Sequence, residues 1–264
     1  MPYLAQIFIY PIKSLDGVAV TQATVLKSGA LQYDREFAIV DEQGRFVNGK
    51  RNPKVHLLRS FFDLDARTVS LQIQDTQSTQ VFHLDEERTA LEAWLSHYFG
   101  KTVQLQQNIF QGFPDDTNAL GPTVISTATI ETVAGWFSEI STDEMRRRLR
   151  TNVEIGDVPP FWEDQLFGEV DNIIQFQIGS IQFEGINPCQ RCVVPTRSSI
   201  TGEAYTDFQK IFITKRQESL PSGVAASRFN HFYRLSVNTR IPESQADKIL
   251  QVGNEVNIQD TVKA

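Results

Sequence analysis

The chain has 264 residues, 41% of them hydrophobic and 22% charged, with 11 prolines; it is long enough to bury a core as one large domain or two closely packed ones, and its composition excludes a disordered or fibrous protein. A formal net charge of −7 argues against chain-wide attraction to nucleic acid or anionic lipid and leaves room only for a local basic pocket. Between Met1 and Asp16 no basic region precedes an apolar run, Lys13 interrupts the stretch from Leu4 to Ile12, and no window reaches the roughly 18 apolar residues that span a bilayer, so a cytoplasmic protein with no membrane or nucleic-acid partner is expected.

The first hundred or so residues read as short strands with turns between them. Gln6 to Tyr10 is followed by alternation through Val18, Val20 and Ala23 to Val25. Phe37 to Val40 and Arg45 to Val47 form a hairpin pattern with Gly44 in its turn. Val69 to Ile73 leads to Gln80 to Leu84, and together these strands suggest a small β-barrel or sandwich. Leu91, Trp94, Leu95 and Tyr98 recur at spacings of three and four within Glu87 to Phe99, which predicts an amphipathic helix.

A boundary between two β-rich halves falls between Gly100 and Pro122, where Gly112, Pro114, Gly121 and Pro122 cluster. Beyond it, Ile130, Val133, Ala134 and Phe137 share one helix face, with Ser126 or Thr127 placed to cap it. A short helix is predicted over Thr142 to Leu149. The cluster Arg146-Arg147-Arg148 reads most simply as its solvated face. From Val153 the period returns to two. Asn172 to Phe183 is a second hairpin turning at Gly179-Ser180, and Tyr233 to Asn238 and Val252 to Ile258 add strands.

The two cysteines, Cys189 and Cys192, lie three positions apart and cannot staple distant parts of a fold. A structural zinc site needs four ligands, and no second cysteine pair exists, nor any histidine within about fifty residues upstream or thirty downstream of Cys189. A thioredoxin-type pair opens a helix, whereas Val193-Val194-Pro195 reads as extended. A buried, inert pair is the third reading. His56, His83 and His97 make no metal spacing and read as structural. No Gly-x-Gly-x-x-Gly, phosphate-binding loop or Gly-x-Ser-x-Gly is present.

Asn187-Pro188-Cys189-Gln190-Arg191-Cys192 resembles the Cys-x-Arg-Cys signature of MOSC domains. In the subgroup that resembles the mitochondrial amidoxime-reducing component, a threonine-bearing strand and a Thr-Gly turn follow, as at Thr196 and Thr201-Gly202. Tyr10-Pro11-Ile12-Lys13-Ser14, then Gly29, Asp34-Arg35 and Phe37 to Val40, is similar to the β-barrel domain that precedes MOSC in that family. The two signatures occur in the family's order and cover nearly all the chain. The resemblance implies an α+β, mostly β protein. An N-terminal MOSC β-barrel domain would occupy residues 1–115 and a C-terminal MOSC β-barrel with a few helices residues 116–264, with the cofactor in the cleft where they meet.

The resemblance also implies roles. Cys192 matches the cysteine that binds molybdenum in the molybdenum-pterin cofactor (Mo-molybdopterin), and a soft thiolate suits that metal. Arg191 beside the thiolate would lower its pKa and reach the anionic cofactor. Lys13, Ser14 and Arg35 match barrel-domain positions that bind cofactor, and Arg150 with Asn152 matches an Arg-x-Asn pattern. The loop Asp115 to Pro122 falls where relatives make further contacts, but it is longer than the family pattern and its residues are not assigned. Relatives show Phe-Gly-x-Tyr where this chain has Phe229-Asn230-His231-Phe232. Phe232 then takes a cofactor-binding position, and His231 is either a proton donor or a packed or solvent-facing side chain.

The implied activity is two-electron reduction of a small N-hydroxylated substrate, such as an amidoxime, hydroxylamine or N-hydroxylated base, with the metal supplying the chemistry. Some relatives carry a fused ferredoxin, but no cysteine follows Cys192, so a separate flavoprotein, ferredoxin or cytochrome is expected to deliver electrons. The rival readings are a sulfur-carrier or cofactor-delivery protein using a Cys192 persulfide, and a binding module without catalysis. Some MOSC domains are fused to pyridoxal-phosphate desulfurases, an enzyme for which this chain is too short.

Overall fold

The structure is a computed structural model, and it describes residues 1–263. The chain is mostly β. In order it runs β1 (Tyr3–Ile9), β2 (Val18–Val20), β3 (Gln22–Thr24), β4 (Phe37–Asp41), β5 (Leu58–Asp63), β6 (Thr68–Ile73), β7 (Thr79–His83), α1 (Arg88–Phe99) and β8 (Val103–Gln107). The second half continues with β9 (Val124–Ser126), α2 (Thr127–Ala134), α3 (Thr142–Leu149), β10 (Val153–Gly156), β11 (Asn172–Ile178), β12 (Ile181–Gln190), α4 (Phe208–Glu218), β13 (Arg234–Arg240), β14 (Ile249–Gln251) and β15 (Val256–Lys263).

Eight strands form the main sheet in the order β15-β11-β12-β13-β9-β10-β1-β2. It curls on itself, because Tyr3 at the start of β1 bridges Glu255 just ahead of β15. β9 and β10 are parallel and so need a crossover, which α2 and α3 provide. The smaller sheets pair β14 with β3, β4 with β8, and β5-β6-β7 in sequence.

Strand pairing does not follow chain order. Leu4, Ile7 and Ile9 of β1 bury into the same core as Phe176, Ile178, Phe183 and Val237 of the C-terminal half. Ile12 and Leu15 already belong to a second core, shared with Phe37, Val69, Leu91 and Leu105. A third core lies beneath α2, α3 and α4. The chain therefore crosses from one body to the other at Tyr10 to Ile12, and the site forms at that crossing.

Several sequence expectations need correction. Gly44 does make a turn, with φ of 70°, and Arg45 to Val47 returns along β4 through the bridge Val40 to Phe46 and the bonds from the Asp41 N–H to the Arg45 carbonyl and from the Val47 N–H to the Ile39 carbonyl, but it is too short to count as a strand, and β8 flanks the other edge of β4. The strand read over Val252 to Ile258 is broken by a turn at Gly253, where φ is 91°, which separates β14 from β15. Helix α4 has no counterpart in the periodicity reading. Its buried face is Phe208, Phe212 and Arg216, and the charged third member hides the apolar spacing. Arg216 is fully buried because its Nη2 donates to both Asp164 oxygens, at 2.7 and 2.5 Å. Among the described residues, no helix is long and apolar enough to cross a membrane.

Candidate functional site

Short backbone ladders bring the N-terminal motif residues together. The Arg35 N–H donates to the Tyr10 carbonyl at 2.8 Å, Phe37 to Pro11 at 2.9 Å, and Lys13 back to Phe37 at 2.7 Å. Residues 10–13 thus lie alongside residues 35–37. The Tyr10 N–H is also accepted by Asp34 Oδ1 at 2.9 Å. From the other half, Arg150 ends α3 and Asn152 precedes β10, the strand that pairs with β1. The Phe8 N–H donates to the Asn152 carbonyl at 2.7 Å. Cys189 is the penultimate residue of β12, and Cys192 follows in the loop beyond it.

These segments line one cleft of about 900 Å³. Eleven lysines and arginines face it against four aspartates, although the whole chain carries −7. Such a cavity concentrates anions. Ser14, Arg35 and Arg150 all adopt left-handed backbone conformations, with φ of 76°, 51° and 54°. Non-glycine residues rarely do so, although the same conformation also recurs outside the cleft, as at Tyr33, Arg67 and Phe161.

Each polar group has a defined environment. Lys13 is buried, its Nζ donating to the Phe113 carbonyl at 2.8 Å and to Asp115 Oδ1 at 2.7 Å. Burial pulls its pKa down, against the lift from Asp115. Asp115 stands in the open cleft; enclosure by protein raises its pKa, but Lys13, Lys50 and Arg35 outweigh that and hold it well below the usual carboxylate range. Burial also disfavours the Arg35 cation, yet the adjoining Asp34 carboxylate more than compensates. Arg150 has no such ion pair among the described residues, and burial, with repulsion from Arg35, leaves its pKa lowered. Both guanidiniums lie over the ring of Tyr10, Arg150 at 4.3 Å and Arg35 at 5.4 Å from the centroid. Burial pushes the Tyr10 hydroxyl up to about 12, and it donates to the Thr151 carbonyl at 3.2 Å.

Seven of the nine residues singled out from sequence line the cleft: Lys13, Ser14, Arg35, Arg150, Asn152, Arg191 and Cys192. Asn152 is already engaged. Its Oδ1 accepts from Arg35 Nη1 at 3.2 Å and its Nδ2 donates to the Phe8 carbonyl at 3.0 Å, so it braces Arg35 between β1 and β10. Arg191 departs from expectation: Nη1 reaches Cys189 Sγ at 3.4 Å, and Nη2 is held by the Leu149 carbonyl. Cys192 Sγ instead accepts from the Val194 N–H at 3.5 Å. Val194–Thr196 forms a 3-10 turn rather than the extended segment read from sequence. His231 and Phe232 are not in the cleft lining. Phe232 stacks on Phe229 at 5.9 Å and packs against the main core, whereas Asn230 and Arg234 on either side do line the cleft.

The structure adds residues that the sequence reading missed. Arg146-Arg147-Arg148 is not a simple solvated face. Arg146 Nε pairs with the buried Glu154 at 2.6 Å, Arg148 Nε with Glu144 at 2.6 Å, and Arg147 and Arg148 line the cleft. His56 also lines it, its Nε2 lying 3.3 Å from the Gly49 carbonyl. From the unassigned loop come Asp115, Asp116, Thr117 and Gly121. The Nε atoms of Arg59, Arg191, Arg197 and Arg234, all cleft residues, are buried without a hydrogen-bond partner. Buried donors normally find one. Among the described residues, no group of three or more His, Cys, Asp or Glu side chains is arranged to hold a metal ion.

The family profile described as the MOSC N-terminal beta barrel domain matches residues 1–140. The chain is similar to molybdenum cofactor sulfurase of Bos taurus, 25% identical over 263 residues, a match covering 84% of this chain and 30% of the relative. To molybdenum cofactor sulfurase of Drosophila grimshawi it is 27% identical over 268 residues, covering 89% of this chain and 33% of the relative. The match spans about a third of the length of these relatives. To mitochondrial amidoxime-reducing component 1 of Homo sapiens it is 35% identical over 71 residues, covering 25% of this chain and 21% of the relative.

Proposed function

Because the chain belongs to the family of the MOSC N-terminal beta barrel domain, we propose that its cleft binds the molybdenum-pterin cofactor, and that the protein carries sulfur for that cofactor or delivers it to another enzyme. One observation carries the binding step. A single cavity is lined both by the Cys192 thiol and by cationic side chains from the two halves of the molecule, Lys13 and Arg35 from one, Arg150 and Arg191 from the other.

The residues fit the group. A cavity of about 900 Å³ lies in the range of cofactor sites, and the partnerless arginine Nε donors suit an anionic ligand. Cys192 would hold the metal, and Lys13, Arg35 and Arg150 the phosphate. When bound, the group would supply two-electron and sulfur-ligand chemistry at molybdenum. The chain's own part is to place a soft sulfur beside a cationic wall, braced by Asn152 and Asp34.

The sulfur-handling reading is favoured over substrate reduction by the breadth of similarity to the sulfurases, 84% and 89% of this chain, and by the second thiol, Cys189, in the same cleft. The shorter match to the amidoxime-reducing component supports the second reading: reduction of N-hydroxylated compounds with electrons from a separate flavoprotein, ferredoxin or cytochrome. One pair of assays separates them. Protein incubated with a persulfide donor should hold cyanide-labile sulfur and reduce benzamidoxime negligibly with an artificial electron donor. Rapid benzamidoxime reduction without labile sulfur would reverse the assignment.

A further inference from the structure

The cationic cleft draws two of its guanidiniums, Arg35 and Arg150, from different halves of the chain, although each repels the other. We propose that Tyr10 is the positioning residue that makes this possible: its ring, within reach of both guanidiniums, orders the two cations so that together they bind one phosphate-type anion. This rests on the anion-binding reading above and adds to it a residue that touches neither metal nor phosphate.

The geometry ties Tyr10 to both arms. Arg150 Cζ is 4.3 Å and Arg35 Cζ 5.4 Å from the ring centroid, within the range where an aromatic face attracts a cation. The main chain of Tyr10 accepts from the Arg35 N–H and donates to Asp34, while its hydroxyl donates to the Thr151 carbonyl, next to Arg150. The ring is 4% exposed, and behind it the chain comes so close at Gly17 that an added Cβ would lie 2.5 Å from Tyr10 Cε1. The ring cannot drift without moving the Gly17 backbone. Arg35 has a carboxylate partner in Asp34, whereas no ion pair or side-chain hydrogen bond is found for Arg150 among the described residues. The ring thus contacts the Arg150 guanidinium directly, while the carboxylates of Asp16 and Asp115 attract it from further away.

The test uses the whole protein and inorganic pyrophosphate as the probe, with affinity measured by calorimetry. Tyr10 is replaced by phenylalanine and then by a series of increasingly fluorinated phenylalanines, which keep the shape of the ring and progressively remove its negative face. Tyr10→Phe should bind within about twofold of the parent, and the most fluorinated ring should bind about tenfold more weakly, with affinity falling stepwise between them. Tyr10→Leu should lose as much, provided it melts cooperatively. Equal affinity across the fluorinated series would overturn the proposal while leaving the anion site intact, as would a loss in Tyr10→Phe as large as in the fluorinated rings, which would assign the effect to the hydroxyl. If the parent itself fails to bind pyrophosphate, the anion-binding reading falls and this proposal with it.

Discussion

Lys13 and Asp115, 102 residues apart, form a 2.7 Å ion pair inside the cleft. It joins the N-terminal motif to the long loop that precedes β9, and it places a negative charge where the family resemblance expects a cofactor contact. Asp115 therefore acts as a resident counter-ion that an incoming anion must displace or share.

Asp115→Asn should accordingly bind anions more tightly. Removing one charge near a ligand in a solvated cleft changes binding by ~1 kcal/mol, so pyrophosphate affinity should rise about fivefold at low salt. The melting temperature should fall, because buried Lys13 loses its partner. Calorimetric titration at two ionic strengths checks the affinity and a thermal melt the stability; weaker binding in the variant would show that Asp115 orders Lys13 for the ligand instead of competing with it.

Arg150 is held in the left-handed region with φ of 54°, where a residue other than glycine costs ~1 kcal/mol, and burial and Arg35 both disfavour its charge. Arg150→Gly should therefore melt at or above the parent temperature and still lose about tenfold or more in pyrophosphate affinity. A variant that unfolds, or one that binds normally, would place Arg150 in the structural framework only.

Much of the site was legible because its residues sit at turns and strand ends, where local pattern and motif coincide. Tyr10 to Ser14, Asp34-Arg35 and Arg150 to Asn152 are brought together by backbone ladders between adjacent strands, and alternation reveals those strands. What was hidden depended on side-chain pairings that the local pattern does not display. Arg216 buries itself against Asp164, so α4 lacked an apolar stripe. The run at 146–148 looked solvated because its pairing with Glu154 on β10 and with Glu144 earlier in the same helix leaves no mark on the sequence pattern. Arg191 was expected beside Cys192, but the course of β12 and the Leu149 carbonyl direct it to Cys189. His231 and Phe232 were carried over from a motif that this chain only half keeps; Phe232 packs on Phe229, and of that motif it is Asn230 that reaches the cleft.

Glu163 supplies a pH signature away from the cleft. Complete burial, then the neighbouring Asp164, pushes its pKa up to about 7. Its Oε2 accepts from the Ser126 N–H at 3.2 Å and from the Thr129 hydroxyl at 3.0 Å, while Oε1 has no partner. A carboxyl whose folded pKa lies above its unfolded value stabilises the fold fully below the ordinary carboxyl range, and that contribution is lost as the pH rises through about 7. Unfolding free energy should fall between about pH 4.5 and 7 with a component of up to ~1.4 kcal/mol per pH unit. Glu163→Gln should remove that component in denaturant titrations, and an unchanged slope in the variant would assign the pH dependence to other groups.

The most direct test is the molybdenum content of protein purified from a host that makes the cofactor, measured for the parent, Cys192→Ser and Cys189→Ser. Binding through Cys192 in the cationic cleft gives close to one metal per parent chain, retention in Cys189→Ser and loss in Cys192→Ser, with all three folded. A metal-free parent, or the same metal content with and without the Cys192 thiol, would contradict it.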